Sequence, residues 1–315
     1  MRSGILAGVF WALETIALGM ALSAAPFISS AQALFLSPFI STFLHDLFSA
    51  AWVGGFNTVR GDLPNVFRAL RTKGGRFAAL AAVIGGPVGM TGYVLAVRCM
   101  GASIGAVASA AFPAVGAVLA HIFLKEKMRW YRWIFLLLTL FGVYGLSFSP
   151  EVEIRDFRLG IVGVLMCAFG WGFEAVILAR CLRDGDVEKR YALQIRQTTS
   201  ALVYGAVLLP VLKGWPMTVS LFTQRMVKPL LYIAFAALFA ALSYLCYYRA
   251  IHSIGAARAM ALDVTYAAWA LVFTAVIYRS ADVLNVRTVL CTAVVLVCGI
   301  LAAADFKELR KRKMD

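Results

Sequence analysis

Charge is what this sequence has least of. Asp, Glu, Lys and Arg make up 15% of the 315 residues against 62% hydrophobic residues, and the mean hydropathy is +0.82. Soluble domains carry about 25% charged residues, so that class is excluded. The six cysteines (Cys99, Cys167, Cys181, Cys246, Cys291 and Cys298) form no C-x-x-C pair and no metal-ligand spacing. They read as small core residues, not as disulfide or metal positions. Neither a phosphate-cradling glycine loop nor a nucleophile elbow occurs, so nothing points to an enzyme or a cofactor.

What is present in abundance is uninterrupted apolar sequence. Windows near 3–24, 32–56, 76–97, 103–124, 130–149, 157–180, 190–212, 228–250, 256–278 and 286–304 are each long enough to cross ~30 Å of hydrocarbon as a helix. The expectation is an all-α integral membrane protein of ten transmembrane helices. The first window faintly resembles a signal peptide, but Glu14 within it favours a working span.

The net charge of +14 would suggest a nucleic-acid ligand in a soluble protein. Here its distribution speaks for orientation instead. With both termini on one side, that side collects Arg2, the Arg60–Arg76 group, Lys125–Arg132, Arg180–Arg190, Arg249, Arg258 and the Lys307–Lys313 tail. The opposite side holds only Arg98, Arg155, Arg158, Lys213, Arg225, Lys228, Arg279 and Arg287. That bias predicts cytoplasmic termini in the plasma (inner) membrane, with no nucleic-acid partner. The basic runs also offer contacts to anionic lipid headgroups.

The chain repeats a pattern. His45-Asp46 is matched 151 positions on by Arg196-Gln197, Tyr93 by Tyr244 and Arg98 by Arg249, and Ser103-Ile104-Gly105-Ala106 has its counterpart in Ser253-Ile254-Gly255-Ala256. The expected organisation is a first half over 1–149, a second over 150–304 and a basic tail over 305–315. Five spans per half force the halves into opposite orientations, the inverted-repeat architecture of secondary transporters.

Phe10-Trp11-Ala12-Leu13-Glu14 and Gly170-Trp171-Gly172-Phe173-Glu174 each place Trp three residues before Glu, so both side chains share a helix face. A π-face beside a carboxylate suits an organic cation; the plainer reading is packing by Trp and hydrogen bonding by a protonated Glu. Tyr244, Tyr247 and Tyr248 form one aromatic stripe, and Asp263, Tyr266 and Trp269 another. The membrane-depth charges are Glu14, Asp46, Glu174, Asp263 and Arg196, each costing roughly 2.5–3.5 kcal/mol at a span centre without compensation. Pairing Arg196 with Asp46 or Asp263 would offset part of that and leave an excess of acids, which either carry protons or attract a cation. His45 is a further proton-coupling candidate.

Spans arranged in this way, with Leu124-Lys125-Glu126 closing the fourth, resemble the drug/metabolite transporter superfamily (EamA-type domains). Ser37-Pro38-Phe39 with His45-Asp46, Gly86-Pro87-Val88-Gly89-Met90, Ile195-Arg196-Gln197-Thr198-Thr199-Ser200, Ser243-Tyr244-Leu245-Cys246-Tyr247-Tyr248, Val264-Thr265-Tyr266 and Trp171-Gly172-Phe173-Glu174 are similar to the choline permeases of the phosphocholine-decoration (Lic) pathway. That resemblance implies uptake of choline through an aromatic cage with a nearby acid. On this reading Trp11, Trp171, Tyr244, Tyr248 and Trp269 are cage walls, Glu14 and Glu174 counter-charges, and His45, Asp46, Arg196, Gln197 and Asp263 a polar coupling network. Glu14 departs from that branch's pattern, which leaves substrate binding, proton coupling or a different cation open as its role. Two other readings stand beside the importer: a proton-coupled exporter of amino acids, amines or drugs, and a non-transporting receptor or scaffold. The chain is expected to act as a monomer or homodimer.

Overall fold

The computed structural model describes residues 1–148, 154–183, 185, 187–279 and 284–305, with backbone alone at 102–104 and 106–107. The expected basic tail beyond Asp305, and the side chains of Ser103, Ile104 and Ala106, lie outside the described residues.

Among the described residues every regular element is helical. The first run comprises α1 (Arg2–Leu22), α2 (Ala31–Val59), a short α3 (Leu63–Arg71), α4 (Lys73–Met100), α5 (Ala102–Leu124) and α6 (Trp130–Ser147). After it come α7 (Phe157–Arg183), α8 (Lys189–Val211), a short α9 (Trp215–Thr223), α10 (Val227–Ile254), α11 (Ala256–Ile277) and α12 (Val286–Ala303). Among the described residues eight helices are long and apolar enough to cross a membrane, or nine if α8 and α9 count as one span bent by 112°. The chain is thus a multi-pass membrane protein. The window expected at 190–212 is α8, which carries Gln194, Arg196, Gln197, Thr198 and Thr199, polar residues that interrupt its apolar character. The window expected at 103–124 falls on α5, whose described apolar stretch is Ala108–Leu124. The two short helices were not legible as spans because neither approaches membrane thickness.

Prolines shape the helices that reach the core. Pro38 has no N–H for the Leu34 carbonyl, and the Ser37 hydroxyl donates to that oxygen at 2.9 Å instead. In α4, Pro87 sits within a π-helical stretch, Ile84–Gly89, of the kind that recurs at functional sites. Carbonyls there look outward. The Trp171 indole N–H donates to Gly85 O at 2.9 Å, and the Tyr204 hydroxyl to Gly86 O at 3.2 Å. Side chains of α7 and α8 therefore complete the backbone hydrogen bonding of α4.

Small residues set the packing. Gly4, Ala7, Gly8, Ala12, Ala17 and Ala21 are the buried positions of α1, and the Ser243 hydroxyl of α10 donates to Ala7 O at 2.9 Å. Such stripes let backbones approach where lipid supplies no hydrophobic drive between helices. Helix α1 lies along α10 and touches α11; α4 lies along α7, which also meets α5. Helix α2 packs on α8 and α10, α4 on α8, and α6 on α12. The outward faces are apolar, with Phe141, Leu137 and Leu290 exposed.

At the end of the bundle that carries α3, Glu126 ties separate parts of the chain together. Gly255 enters α11 with φ 87° and ψ 162°, backbone that essentially only glycine adopts. The Glu126 carboxylate then accepts the N–H groups of Ala256 and Ala257 at 3.0 and 3.1 Å, and Arg183 lies 3.8 Å from it. An acid capping two free N–H groups at a helix start is stabilising. Glu126→Ala should cost on the order of 1–2 kcal/mol, read as a lower melting temperature of the detergent-purified protein. An unchanged melting temperature would show that water replaces the cap without loss.

Candidate functional site

The helix pairing leaves a cavity of about 840 Å³ among α1, α2, α4, α5, α7, α8, α10 and α11. It extends to the end of the bundle marked by Leu22, Ala31, Arg98 and Arg155, opposite the Glu126 cap. Both Trp–Glu pairs seen in the sequence line it: Trp11 and Glu14 from α1, Trp171 and Glu174 from α7.

The charges form a chain across the cavity wall. Arg196 Nε donates to Glu174 Oε1 at 2.8 Å, and its Nη1 lies 3.4 Å from Asp46 Oδ1 and 2.7 Å from Gln197 Oε1. Asp46 Oδ1 is 3.0 Å from His45 Nδ1, and His45 Nε2 is 3.2 Å from Glu14 Oε1. Gln197 Nε2 donates to Ser49 Oγ at 3.0 Å. Arg196 and Asp46 are buried, at 5% and 2% exposure, where an ion pair requires all its partners to balance lost hydration. The guanidinium fork can meet several acceptors at once, which an ammonium cannot do in this geometry. With His45 protonated as well, two cations face four acids, since Asp263 also lines the cavity. Acidic groups therefore outnumber basic ones, and the surplus acids either carry protons or attract a cation.

The aromatic wall stands beside this chain. Trp11 stacks on Tyr266 with ring centroids 3.8 Å apart and planes at 24°. Phe112 bridges Trp11 (6.2 Å) and Trp171 (6.0 Å, edge to face), and Trp171 faces Tyr93 at 6.2 Å. Each such pair contributes about 0.5–1.5 kcal/mol beyond buried area. Tyr244 lies under the Arg196 guanidinium at 4.7 Å. The glycines of α4 make room: a side chain at Gly85 would collide with the Glu174 carboxyl group.

Among the residues expected from sequence, Trp11, Glu14, His45, Asp46, Trp171, Glu174, Arg196, Tyr244 and Asp263 all line this cavity. Gln197 lies one layer behind, holding Arg196. Tyr248 and Trp269 are not brought to it. Tyr248 is fully buried against Tyr244 and Tyr247, and Trp269 stacks on Phe273. Their places in the wall are held by Tyr93, Phe112, Tyr247 and Tyr266. The pairing expected between Arg196 and Asp46 is present, but the shorter contact is to Glu174, so Glu174 is a partnered acid.

A membrane-embedded helical bundle with a ligand-sized, mostly apolar cavity that carries a few charged groups is an arrangement suited to small-molecule transport. Residues 3–148 match the EamA-like transporter family. Protein LicB of Haemophilus influenzae is 28% identical over 233 residues, spanning 74% of this chain and 76% of that protein. A solved crystal structure at 18% identity covers 96% of each chain with a TM-score of 0.66, which shows the shared fold.

Proposed function

We propose that this chain is a secondary transporter that imports choline or a closely similar quaternary ammonium through the cavity by alternating access. The observation that carries the reading is the joint wall of Trp11, Tyr266, Phe112, Trp171 and Tyr93 beside an excess of carboxylates. An ammonium bearing methyl groups cannot be stripped to hydrogen bonds, so ring faces and net charge are what recognise it. Arg98 and Arg155 at the mouth oppose a cation, but salt screens them over about 8 Å, whereas the interior acids are not so screened. The likeness to LicB supports the resemblance to the Lic branch seen in the sequence.

The same reading takes the bundle as ten spans in two inverted halves, 1–149 and 150–304, in the plasma (inner) membrane with both termini cytoplasmic. Exchanging the halves maps the α1–α10 contact onto α7–α4, α1–α11 onto α7–α5 and α2–α10 onto α8–α4, which accords with the observed packing. Gly101 and Gly255, at matching joints, share the same backbone conformation (φ 86° and 87°). The short helices α3 and α9 also fall at matching places. On this orientation the cavity faces outward, as an importer awaiting substrate would. Protons are the candidate coupling ion, through His45 and the acids around it.

Calorimetry on purified protein tests the reading with choline beside glycine betaine, arginine and phenylalanine. Choline should bind selectively, and Trp11→Leu should weaken it by roughly tenfold, the value of one desolvated cation–π contact of ~1–2 kcal/mol. Heat on adding a zwitterionic amino acid, with none on adding choline, would instead favour the exporter of the same superfamily.

A further inference from the structure

The charge chain from Glu14 to Glu174 and the aromatic wall leave two polar groups of the cavity unused. Asp263 is 7% exposed and Tyr247 is 6% exposed, and both line the cavity. Asp263 Oδ1 and the Tyr247 hydroxyl each meet no hydrogen-bond partner among the described residues. Groups buried without a partner carry a desolvation penalty, so two on one wall need an explanation. They lie toward the closed end, on the adjoining helices α10 and α11. Asp263 ends the first segment of α11, just before the break at Val264–Thr265. Tyr247 lies one turn beyond Ser243, which is bonded to Ala7 of α1. Thr265 in turn lies against Gly8 of α1, where an added side-chain carbon would stand 2.9 Å from its hydroxyl oxygen. Trp11 is the next turn of α1. The pair therefore forms the floor beneath the aromatic wall, formed by α10 and α11 where they meet α1.

A carboxylate oxygen only accepts and a phenol readily donates. Side by side they match a group that donates one hydrogen bond and accepts another, which is a hydroxyl. A bare trimethylammonium satisfies neither. We infer that Asp263 and Tyr247 are a hydroxyl-recognition subsite, so that the transported cation is a quaternary ammonium carrying a hydroxyl on a short arm. The arm points to the floor while the cationic head stays among the rings. Asp263 Oδ1 accepts the substrate's O–H, and Tyr247 donates to the same oxygen. This rests on the quaternary-ammonium reading above and narrows it: the rings and net charge provide attraction, and the floor provides selection. Sites built to hydrogen-bond a substrate hydroxyl reject the analogue lacking it because their own polar groups stay unpaired.

The test compares choline with ethyltrimethylammonium, which lacks only the hydroxyl, by calorimetry on the full-length protein. Wild type should prefer choline by on the order of ten- to a hundredfold. Tyr247→Phe should lower choline affinity and bring the ratio close to one while the analogue's affinity moves little. This variant removes a hydroxyl that makes no hydrogen bond among the described residues, so folding should be preserved. Asp263→Asn should shrink the ratio in the same direction. Equal binding of both ligands to wild type would overturn the subsite and leave the quaternary-ammonium reading standing. A wild-type preference that survives both substitutions would overturn the subsite too, by placing the hydroxyl elsewhere. Binding of neither ligand would overturn the broader reading and the subsite with it.

Discussion

Replacing Arg196 with leucine should leave little folded protein. The guanidinium is the common partner of Glu174 (2.8 Å), Asp46 (3.4 Å) and Gln197 (2.7 Å), and it lies over the Tyr244 ring. Leucine fills part of its volume but orphans the buried Glu174 carboxyl group and leaves Asp46 with His45 alone, and breaking a buried pair in this way costs roughly 3–5 kcal/mol. That is a large part of the total stability of an ordinary domain. The expected readout is collapse of the monodisperse peak in size-exclusion chromatography and loss of any choline-induced thermal shift. Arg196→Lys should fold better yet remain impaired, because one ammonium cannot span the three acceptors in the guanidinium's geometry. A leucine variant as stable as wild type would mean that the network does not hold α2, α7 and α8 together.

The second large effect is expected where two helices touch backbone to backbone. A side-chain carbon at Gly92 would stand 2.6 Å from Cys167 N and 2.7 Å from Gly163 O; one at Gly163 would stand 2.6 Å from Ala96 N and 2.7 Å from Gly92 O. Backbone cannot move aside as a flexible side chain can. Gly92→Val should therefore push α4 away from α7, at ~1–3 kcal/mol or more for overpacking. The shift propagates, because the same interface holds the Trp171–Gly85 hydrogen bond and the Gly85–Glu174 approach. Both the melting temperature and choline affinity should fall together. Gly55→Ala is the control: an added carbon there meets nothing within 4 Å, and helix propensity alone would stabilise it by up to about 1 kcal/mol. Normal binding by Gly92→Val would disconnect the α4–α7 contact from the site.

Much of this was legible from residues because hydrocarbon imposes a simple rule on length and polarity. The apolar windows became helices, and the intramembrane charges converged on one cavity. The Trp11–Glu14 and Trp171–Glu174 spacings placed both side chains of each pair on its wall. The failures are local and have geometric causes. Asp263, Tyr266 and Trp269 read as one stripe only if the helix is continuous, whereas α11 breaks at Val264–Thr265 and Trp269 turns away. Tyr247 and Tyr248 differ by 100° around an ideal helix, so a cavity on the Tyr244–Tyr247 side cannot also receive Tyr248. Phe112 carried no signal, being a lone aromatic in an apolar helix, and Tyr93 carried only its repeat match to Tyr244. Their role arises from α4 and α5 packing against α7. The choice of Glu174 by Arg196 was hidden for a related reason: it depends on the π-helical stretch around Pro87 and on Gly85, which bring α4 against α7 at Glu174.

The shared guanidinium also bears on how such a chain could have arisen. Under the two-half reading, Arg196 and Gln197 occupy the positions that His45 and Asp46 hold in the other copy, and the two sets face each other across α2 and α8. A first half paired with its own duplicate would oppose His45 and Asp46 with the same residues and have no guanidinium between them. A second half paired with itself would bring two Arg196 side chains together and lack the acid that Asp46 supplies. Neither copy can stand in for the other. On that reading, divergence at one matched pair of positions makes the halves complements, and a symmetric ancestor would have needed a different set of residues to balance its buried charges.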